Sequence, residues 1–551
     1  MQPRPHNPAD AMPLHRESMR RRTLLVAVAA VVLALAAFSP ALFTRTFTDD
    51  ADSVLRVGRV SHVKHLRAIF SREFTAHTGG RYRPFPYAVL ALGRTVARPE
   101  NALFWNLWLL GFHVLNALLV YGVARHFARR ETSALAALAV ALFHPAASSF
   151  THRIDLFPDV LAGTLYLGTL LAYLGWGRRR RLSLYVLSLV LLAMGLVSSR
   201  AFVTLPVLLL LYEVLYERTV AWRAVLRVLP MAVLIVPAAV LYRSMHPAPA
   251  FWAEAPRAFG TGTWYGWVST VGGGLDTVLG LLRGRSAEVP VGTLTGDVHH
   301  AWNGAFLVAT AVVAVLLAAA FLAMRLRRHW TGVGLFLLFV ATCPALPMYR
   351  DDLSEDYASW TFRYLSYVGL ALLVGGVLDA LPAWRRAAVR WGALAATSAL
   401  VLCCLALLVV DNLHARSPEG WWRHVLDENR ASQQASVKLG EAYLRQARDA
   451  RRDGDETLAR EKERVAFARL YGPPVRYIRE SALVLAVHYR HTGNRDAAVA
   501  HLGIADRQEE YGLLYQEDVL TRVAILRDAQ AYDFAEERLG LVLAADPSNT
   551  R

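Results

Sequence analysis

Two adjacent carboxylates, Asp49 and Asp50, follow the first long apolar run of the chain. One acid there would serve as a helix cap, because Thr48-Asp49-Asp50 precedes a helical pattern and Asp is a good N-cap. A second acid beside it, at the mouth of a membrane, is better placed for general-base work, taking a proton from a hydroxyl as that hydroxyl attacks a carbon. Arginines that complement such chemistry recur at Arg83, Arg153 and Arg363. A planar guanidinium presents a two-pronged donor fork suited to phosphate. Each has a plainer alternative: Arg83 snorkelling into the headgroup layer, Arg153 pairing with Asp155, and Arg363 anchoring an interface. Pro84 restricts Arg83 to an extended backbone at the start of the next apolar stretch.

Supporting polar residues sit inside or beside the apolar runs. Asn106, His113 and Asn116 fall within about 80° of one another at helical spacing, a stripe suited to holding helices together by hydrogen bonds. His144 in His144-Pro145, Asp155 in Arg153-Ile154-Asp155-Leu156 and Arg200 in Ser198-Ser199-Arg200 lie at turns on the same side of the membrane. No histidine–carboxylate spacing resembles a ligand set, so neither a metal nor another cofactor is expected. The three cysteines, Cys343, Cys403 and Cys404, fall inside apolar runs and form no disulfide framework.

The elements that must position these residues are membrane spans. Of 551 residues, 55% are hydrophobic, with mean hydropathy +0.29, which suits a polytopic helix bundle with an added soluble part. About eleven runs have the length a bilayer needs: Thr23–Phe43, Leu103–Ala124, Ser133–His144, Leu156–Trp176, Leu182–Val197, Phe202–Tyr216, Val225–Tyr242, Ala301–Met324, Thr331–Pro347, Tyr364–Leu381 and Trp391–Val410. The net charge of +16 does not mark a nucleic-acid surface, because the arginines cluster in short turns between spans. Arg125/Arg129/Arg130, Arg178–Arg181, Arg218/Arg223/Arg227, Arg325–Arg328 and Arg385–Arg390 all fall on the side of the basic amino terminus. That is the positive-inside pattern. It predicts residues 1–22 as a cytoplasmic tail, 23–411 as a membrane domain of the inner (plasma) membrane, and 412–551 as an all-α domain outside the cytoplasm.

Three outer segments stand out. In Thr44–Asn101, Val54, Leu55, Val60, Val63, Leu66 and Ile69 alternate with Arg56, Arg59, Lys64 and Arg67 as an amphipathic helix lying on the lipid surface does. Arg243–His300 is rich in Gly, Trp and Pro, and Tyr349–Arg363 is acidic and then aromatic. The tail shows weak repetition: Gly493-Asn-Arg-Asp-Ala-Ala498 matches Gln530-Ala-Tyr-Asp-Phe-Ala535, and Leu439-Gly440-Glu441-Ala442-Tyr443 starts an earlier unit. Two to three degenerate tetratricopeptide-like repeats account for it; a plain helical-hairpin domain is the alternative.

The order of Asp49-Asp50, Tyr82-Arg83-Pro84, His113-Val-Leu-Asn116, His144-Pro145, Arg153-Ile-Asp155-Leu156, Leu205-Pro206, Tyr212-Glu213 and Arg363-Tyr364-Leu365 resembles that of GT-C-type integral-membrane glycosyltransferases. The likeness is to transmembrane O-mannosyltransferase-like proteins bearing tetratricopeptide repeats. Ser199-Arg200 stands where members often carry Lys-Glu, and Thr361-Phe362 where they often carry Ala-Glu. The resemblance implies a polyprenyl-phosphate sugar donor, an inverting transfer and a catalytic acid in the first outer loop, here Asp49 or Asp50. The donor phosphate is then expected on Arg83, Arg153 and Arg363, and the acceptor is expected to be a protein or a surface glycan, met by the repeat-like tail. Two other readings compete. One is a non-catalytic membrane scaffold that binds partners through its tail. The other is a polymerase, ligase or flippase of lipid-linked glycans, working through the long outer segment around Trp264 and Trp267.

Overall fold

The computed structural model describes residues 12–42, 66–71, 82–98, 101–245, 330–338, 357–381, 387–428, 433–471 and 479–507, with scattered positions between 278 and 325. Among the described residues every regular element is helical. Four helices are long and apolar enough to cross a membrane: Ala102–Phe127, Phe157–Arg179, Ala221–Tyr242 and Trp391–His414. Five shorter apolar helices accompany them: Leu25–Ala41, Glu131–Phe143, Leu182–Leu196, Ala201–Tyr216 and Tyr364–Ala380. Each of these nine overlaps an expected span. Of the other two expected spans, Thr331–Pro347 is helical over Thr331–Leu338, and its remainder and most of Ala301–Met324 lie outside the described residues.

Helix boundaries differ from expectation where propensity outruns hydropathy. The first helix starts at Met12, inside the expected tail. Pro13 is tolerated in a first turn, and neither Gly nor Pro interrupts the run from Leu14 to Phe38. The Tyr357–Ala380 helix begins before the expected Tyr364, because Tyr357-Ala-Ser-Trp-Thr-Phe contains no breaker. Pro230 lies inside Ala221–Val233, and the run parts at Leu234 from Ile235–Met245, where Pro237 lacks the backbone donor that would meet the Val233 carbonyl. A π-turn, Tyr212–Tyr216, ends the helix before it.

Burial separates the centre of the bundle from its rim. In the most apolar stretch of Phe157–Arg179, 67% of residues are buried, against 11% in Trp391–His414, so the latter leaves most of its apolar surface uncovered by the described residues. Without a hydrophobic force between helices in lipid, close backbone approach through small residues takes over. Thr331–Leu338 and Tyr357–Ala380 meet in this way. A Cβ on Gly334 would lie 2.6 Å from the Leu373 nitrogen, and one on Gly369 would run into the backbone of Leu337 and Leu338.

The arginine-rich turns gather at one end of the bundle. The Arg129 backbone N–H donates to both carboxylate oxygens of Asp379 at 3.1 and 3.3 Å. Arg218 donates to the Arg325 carbonyl at 2.9 Å, and Phe127 stacks on Trp330 at 6.2 Å. Glu213 accepts from Tyr173 (2.9 Å), Thr219 (2.7 Å) and Arg227 (2.7 Å). That buried carboxylate is fully engaged and staples three segments at this end.

After His414 come Pro418–Glu428 and two antiparallel hairpins, Gln433–Arg452 with Glu456–Leu470 and Arg479–His491 with Arg495–Arg507. The hairpin turns are equivalent. Gly454 and Gly493 adopt φ +84° and +78°, the left-handed stop that glycine provides. Asp455 and Asn494 then cap the following helices, accepting from Leu458 N–H (2.9 Å) and Ala497 N–H (3.2 Å). Ala459 and Ala498, each five positions after its glycine, are buried. The Gly493–Ala498 pattern therefore has a partner at Gly454–Ala459 that the sequence reading overlooked; Gln530–Ala535 lies outside the described residues. Trp421, Trp422 and Val425 share one apolar cluster with Ala415 and with Ala41 of the first span, seating the tail on the bundle.

The tail carries a pH dependence. His488 is buried, with Nε2 3.3 Å from the Glu463 carboxylate. Burial chiefly lowers its pKa; Arg448, Arg451 and His491 add to the shift and Glu463 opposes it. The folded form therefore disfavours the proton, and the unfolded chain binds it more readily. The contribution of neutral His488 to stability is full above its unfolded pKa of about 6.5 and is lost as pH falls from there toward the depressed folded value. Thermal unfolding should shift to lower temperature between about pH 7 and pH 5, and His488→Gln should flatten that dependence. An unchanged slope in the variant contradicts this assignment.

Candidate functional site

The other end of the bundle gathers the residues that the sequence marks as chemical. The first span finishes there at Leu42, where a helix leaves carbonyls without partners. Asn106, buried in the Ala102–Phe127 helix, donates its amide to two of them, Ala41 (3.2 Å) and Leu42 (3.0 Å). It thereby pins the stem that leads to the acidic pair. Asp49 and Asp50 themselves lie outside the described residues.

A second asparagine, Asn412, does the same work from the last span. Its Nδ2 donates to the Ala37 carbonyl at 3.0 Å. Its Oδ1 lies 2.8 Å from both Ser148 Oγ and His152 Nε2, so the histidine donates. Burial pushes the His152 pKa down to about 4, which keeps the ring neutral. Phe38 lies edge-on to His152 at 6.3 Å and to His113 at 5.9 Å. Asn412→Leu leaves two buried donors and a carbonyl without their acceptor or donor. It is expected to cost roughly 1–3 kcal/mol, read as a lower melting temperature in detergent; an unchanged melt would show that this joint contributes nothing.

His113 and Asn116 form the deeper network. Asn116 Nδ2 donates to the Val160 carbonyl at 2.9 Å and to Tyr364 Oη at 2.8 Å. His113 Nδ1 lies 3.3 Å from the same hydroxyl, and its Nε2 3.4 Å from the Leu142 carbonyl. Tyr367 donates to the Ala141 carbonyl and stacks on His113 at 6.2 Å. Gly163 makes room for this: a Cβ there would lie 2.5 Å from the Tyr364 ring. His144 is also engaged at both nitrogens, Nδ1 accepting from Ala146 N–H (3.2 Å) and Nε2 meeting the Leu281 carbonyl (2.9 Å). These three residues tie helices together.

The two arginines with described side chains come to one stretch of chain. Arg83 Nη1 lies 3.6 Å from Oδ1 of Asp159, whose side chain is 4% exposed while that of Arg83 is 16% exposed. Asp159 stands in the first turn of Phe157–Arg179, where a negative charge also meets the helix dipole favourably. Arg153 immediately precedes the Ile154–Leu156 turn that leads into this helix. It is buried, with its guanidinium 5.9 Å from the ring centre of Trp422 in the tail. Arg153 thus makes a cation–π contact with the tail. Asp155, Arg200 and Arg363 are placed on the backbone, in Ile154–Leu156, Arg200–Thr204 and Tyr357–Ala380. Their side chains lie outside the described residues. Arg363 directly precedes Tyr364 of the buried network.

Asp159, Asn412 and Trp422 were missed by sequence reasoning. A carboxylate in the first turn of an apolar span and an asparagine in the last turn of another were the available signals. Nothing local in the sequence connects Trp422 with Arg153. Among the described residues, no group of three His, Cys, Asp or Glu side chains is arranged to hold a metal ion. No protein-family model, no curated protein and no solved structure matches the chain.

Proposed function

We propose that this chain is a membrane glycosyltransferase that moves a sugar from a polyprenyl-phosphate carrier to a protein or surface-glycan acceptor. The observation that carries the reading is a convergence at one end of the bundle. The stem of the Asp49–Asp50 loop, pinned by Asn106, ends where Arg83 meets Asp159 and where Arg153 lies. The arginine-rich turns occupy the opposite end, and the positive-inside rule assigns that end to the cytoplasm. The reacting end and the tail then face outward.

In this reading the acceptor hydroxyl oxygen attacks the anomeric carbon and its proton passes to Asp49 or Asp50. The bond from that carbon to the phosphate oxygen breaks with inversion. Polyprenyl phosphate leaves carrying one more negative charge than it had as the diester, and fixed cations stabilise that charge. Arg83 is the first of them, held by Asp159 so that its fork is set before the donor arrives. Arg153 and Arg363 are the second and third. The resemblance to GT-C-type transferases and the equivalent hairpins of the tail support the same assignment, with the hairpins read as degenerate tetratricopeptide-like units.

Donor binding tests the phosphate assignment. Polyprenyl phosphate added to the detergent-solubilised protein should raise its melting temperature. Arg83→Ala should weaken that effect by about tenfold in concentration, and Arg83→Lys by less, because charge persists while the fork is lost. Equal protection of all three proteins would remove Arg83 from the site.

A further inference from the structure

At the arginine-rich end of the bundle one tryptophan is flanked by two cations. Trp176 stands in the last turn of Phe157–Arg179 and is half-buried. The Arg180 guanidinium lies 5.4 Å from its ring centre, and that of Arg227 lies 5.9 Å from it. Arg180 ends Trp176's own helix, whereas Arg227 comes from Ala221–Val233. Tyr185, on Leu182–Leu196, closes the group. Its ring lies 4.8 Å from that of Trp176, and its hydroxyl donates to the Arg227 carbonyl at 2.8 Å. Three helices thus hold two guanidiniums beside one ring.

The charges here do not balance. Arg227 donates to Glu213 at 2.7 Å, and that buried carboxylate also serves Tyr173 and Thr219. Among the described residues the Arg180 guanidinium meets no carboxylate. Arg223, one turn before Arg227, meets none either and lies over the Trp222 ring at 5.2 Å. Arg180 also holds a backbone that its type disfavours. Its φ is +54°, the left-handed region in which a Cβ crowds the chain. Glycine commonly ends a helix this way; here an arginine does, its N–H donating to the Trp176 carbonyl at 2.7 Å. A strained backbone kept under a charged side chain points to a role for that side chain.

We propose that Arg180 and Arg227, beside Trp176, and Arg223 one turn away bind the phosphodiester of an anionic phospholipid in the leaflet that meets this end of the bundle. Guanidinium forks suit phosphate oxygens, and basic pockets between membrane helices take such headgroups. Two features favour a lipid over a soluble phosphate. The site closes a helix long and apolar enough to cross a membrane. Bare apolar side chains adjoin the cations: Leu182, one turn before Tyr185, is 70% exposed, and Leu226, next to Arg227, is 56% exposed. Acyl chains would cover them. A zwitterionic headgroup brings a cation of its own, which the unbalanced arginines repel. This site lies at the opposite end from the transfer chemistry and needs no sugar donor.

The test is the melting temperature of the full-length protein in detergent, titrated with phosphatidylglycerol, with phosphatidylcholine of the same acyl chains, or with glycerol phosphate. Phosphatidylglycerol should raise it saturably, and the other two should not at matched concentration. Arg180→Gly keeps the left-handed backbone without strain, so without lipid it should melt at the parent's temperature or above. Its half-maximal response should need at least about fivefold more phosphatidylglycerol, the effect of one arginine at an anionic lipid surface. Arg223→Ala, an exposed change, should weaken the response in the same direction. Arg129→Ala, exposed at the same end, should leave it unchanged. The proposal fails if phosphatidylcholine protects equally, or if glycerol phosphate protects as well as the lipid, which would make this a soluble-phosphate site. It fails equally if Arg180→Gly and Arg223→Ala respond like the parent, or if Arg129→Ala weakens the response as much as they do, which would mean diffuse charge attraction only. Arg180→Gly melting below the parent without lipid would overturn the strain on which the proposal rests.

Discussion

Gly369→Val is expected to leave little or no folded bundle. A Cβ at Gly369 would overlap the backbone of Leu337 and Leu338, and Gly334 faces the same crossing. Backbone atoms of a helix cannot step aside as a side chain can, so the two helices must separate along their length. Ordinary overpacking costs about 1–3 kcal/mol, and a backbone collision on a glycine crossing exceeds that, against a total stability of about 5–15 kcal/mol for a typical protein. Gly163→Ala supplies the graded comparison. Its Cβ would meet the Tyr364 ring at 2.5 Å, which can tilt at the expense of the Asn116 hydrogen bond, so a milder loss is expected. Size-exclusion recovery and thermal melting in detergent check both. A monodisperse Gly369→Val protein with the parent's melting temperature would contradict the packing described for these helices.

Much of the fold was legible because the lipid phase imposes length and apolarity on each span. Nine of the expected runs reappear as apolar helices, and the arginines that set their alternation meet at one end. Boundaries were less legible. Hydropathy marks where lipid contact ends, whereas the Met12–Phe38 and Tyr357–Ala380 helices continue until propensity fails them. Within the site, the stripe of Asn106, His113 and Asn116 was readable as helix-holding polarity; in the structure all three meet backbone carbonyls, and the last two also meet Tyr364. Long-range pairings were not readable. Arg83 with Asp159 and Arg153 with Trp422 depend on how separate spans and the tail come together, and no local spacing encodes that. The repeat was half read: Gly493–Ala498 was recognised, but its equivalent at Gly454–Ala459 hides in a more charged stretch.

Asp49→Asn or Asp50→Asn is expected to abolish sugar transfer while the protein stays folded and inserted. The amide is nearly isosteric, so capping within Thr48-Asp49-Asp50 should largely survive. It cannot take the acceptor's proton at a useful rate, and loss of a general base typically costs about 10²–10⁴-fold. In the proposed reading Asp49 takes the place of the first acid of the loop, so its replacement should be the more damaging. The scaffold reading expects no change from either substitution, and a polymerase, ligase or flippase working through the Arg243–His300 segment expects the pair to be dispensable.

The deciding measurement is sugar transfer from a polyprenyl-phosphate donor to membrane or extracytoplasmic acceptors. It compares the parent with Asp49→Asn and Asp50→Asn, each shown by its melting temperature to be folded. The account predicts transfer by the parent and a loss of at least about 10²-fold in one or both variants. No transfer by the parent, or near-parental transfer by both folded variants, would contradict it and put the scaffold reading first.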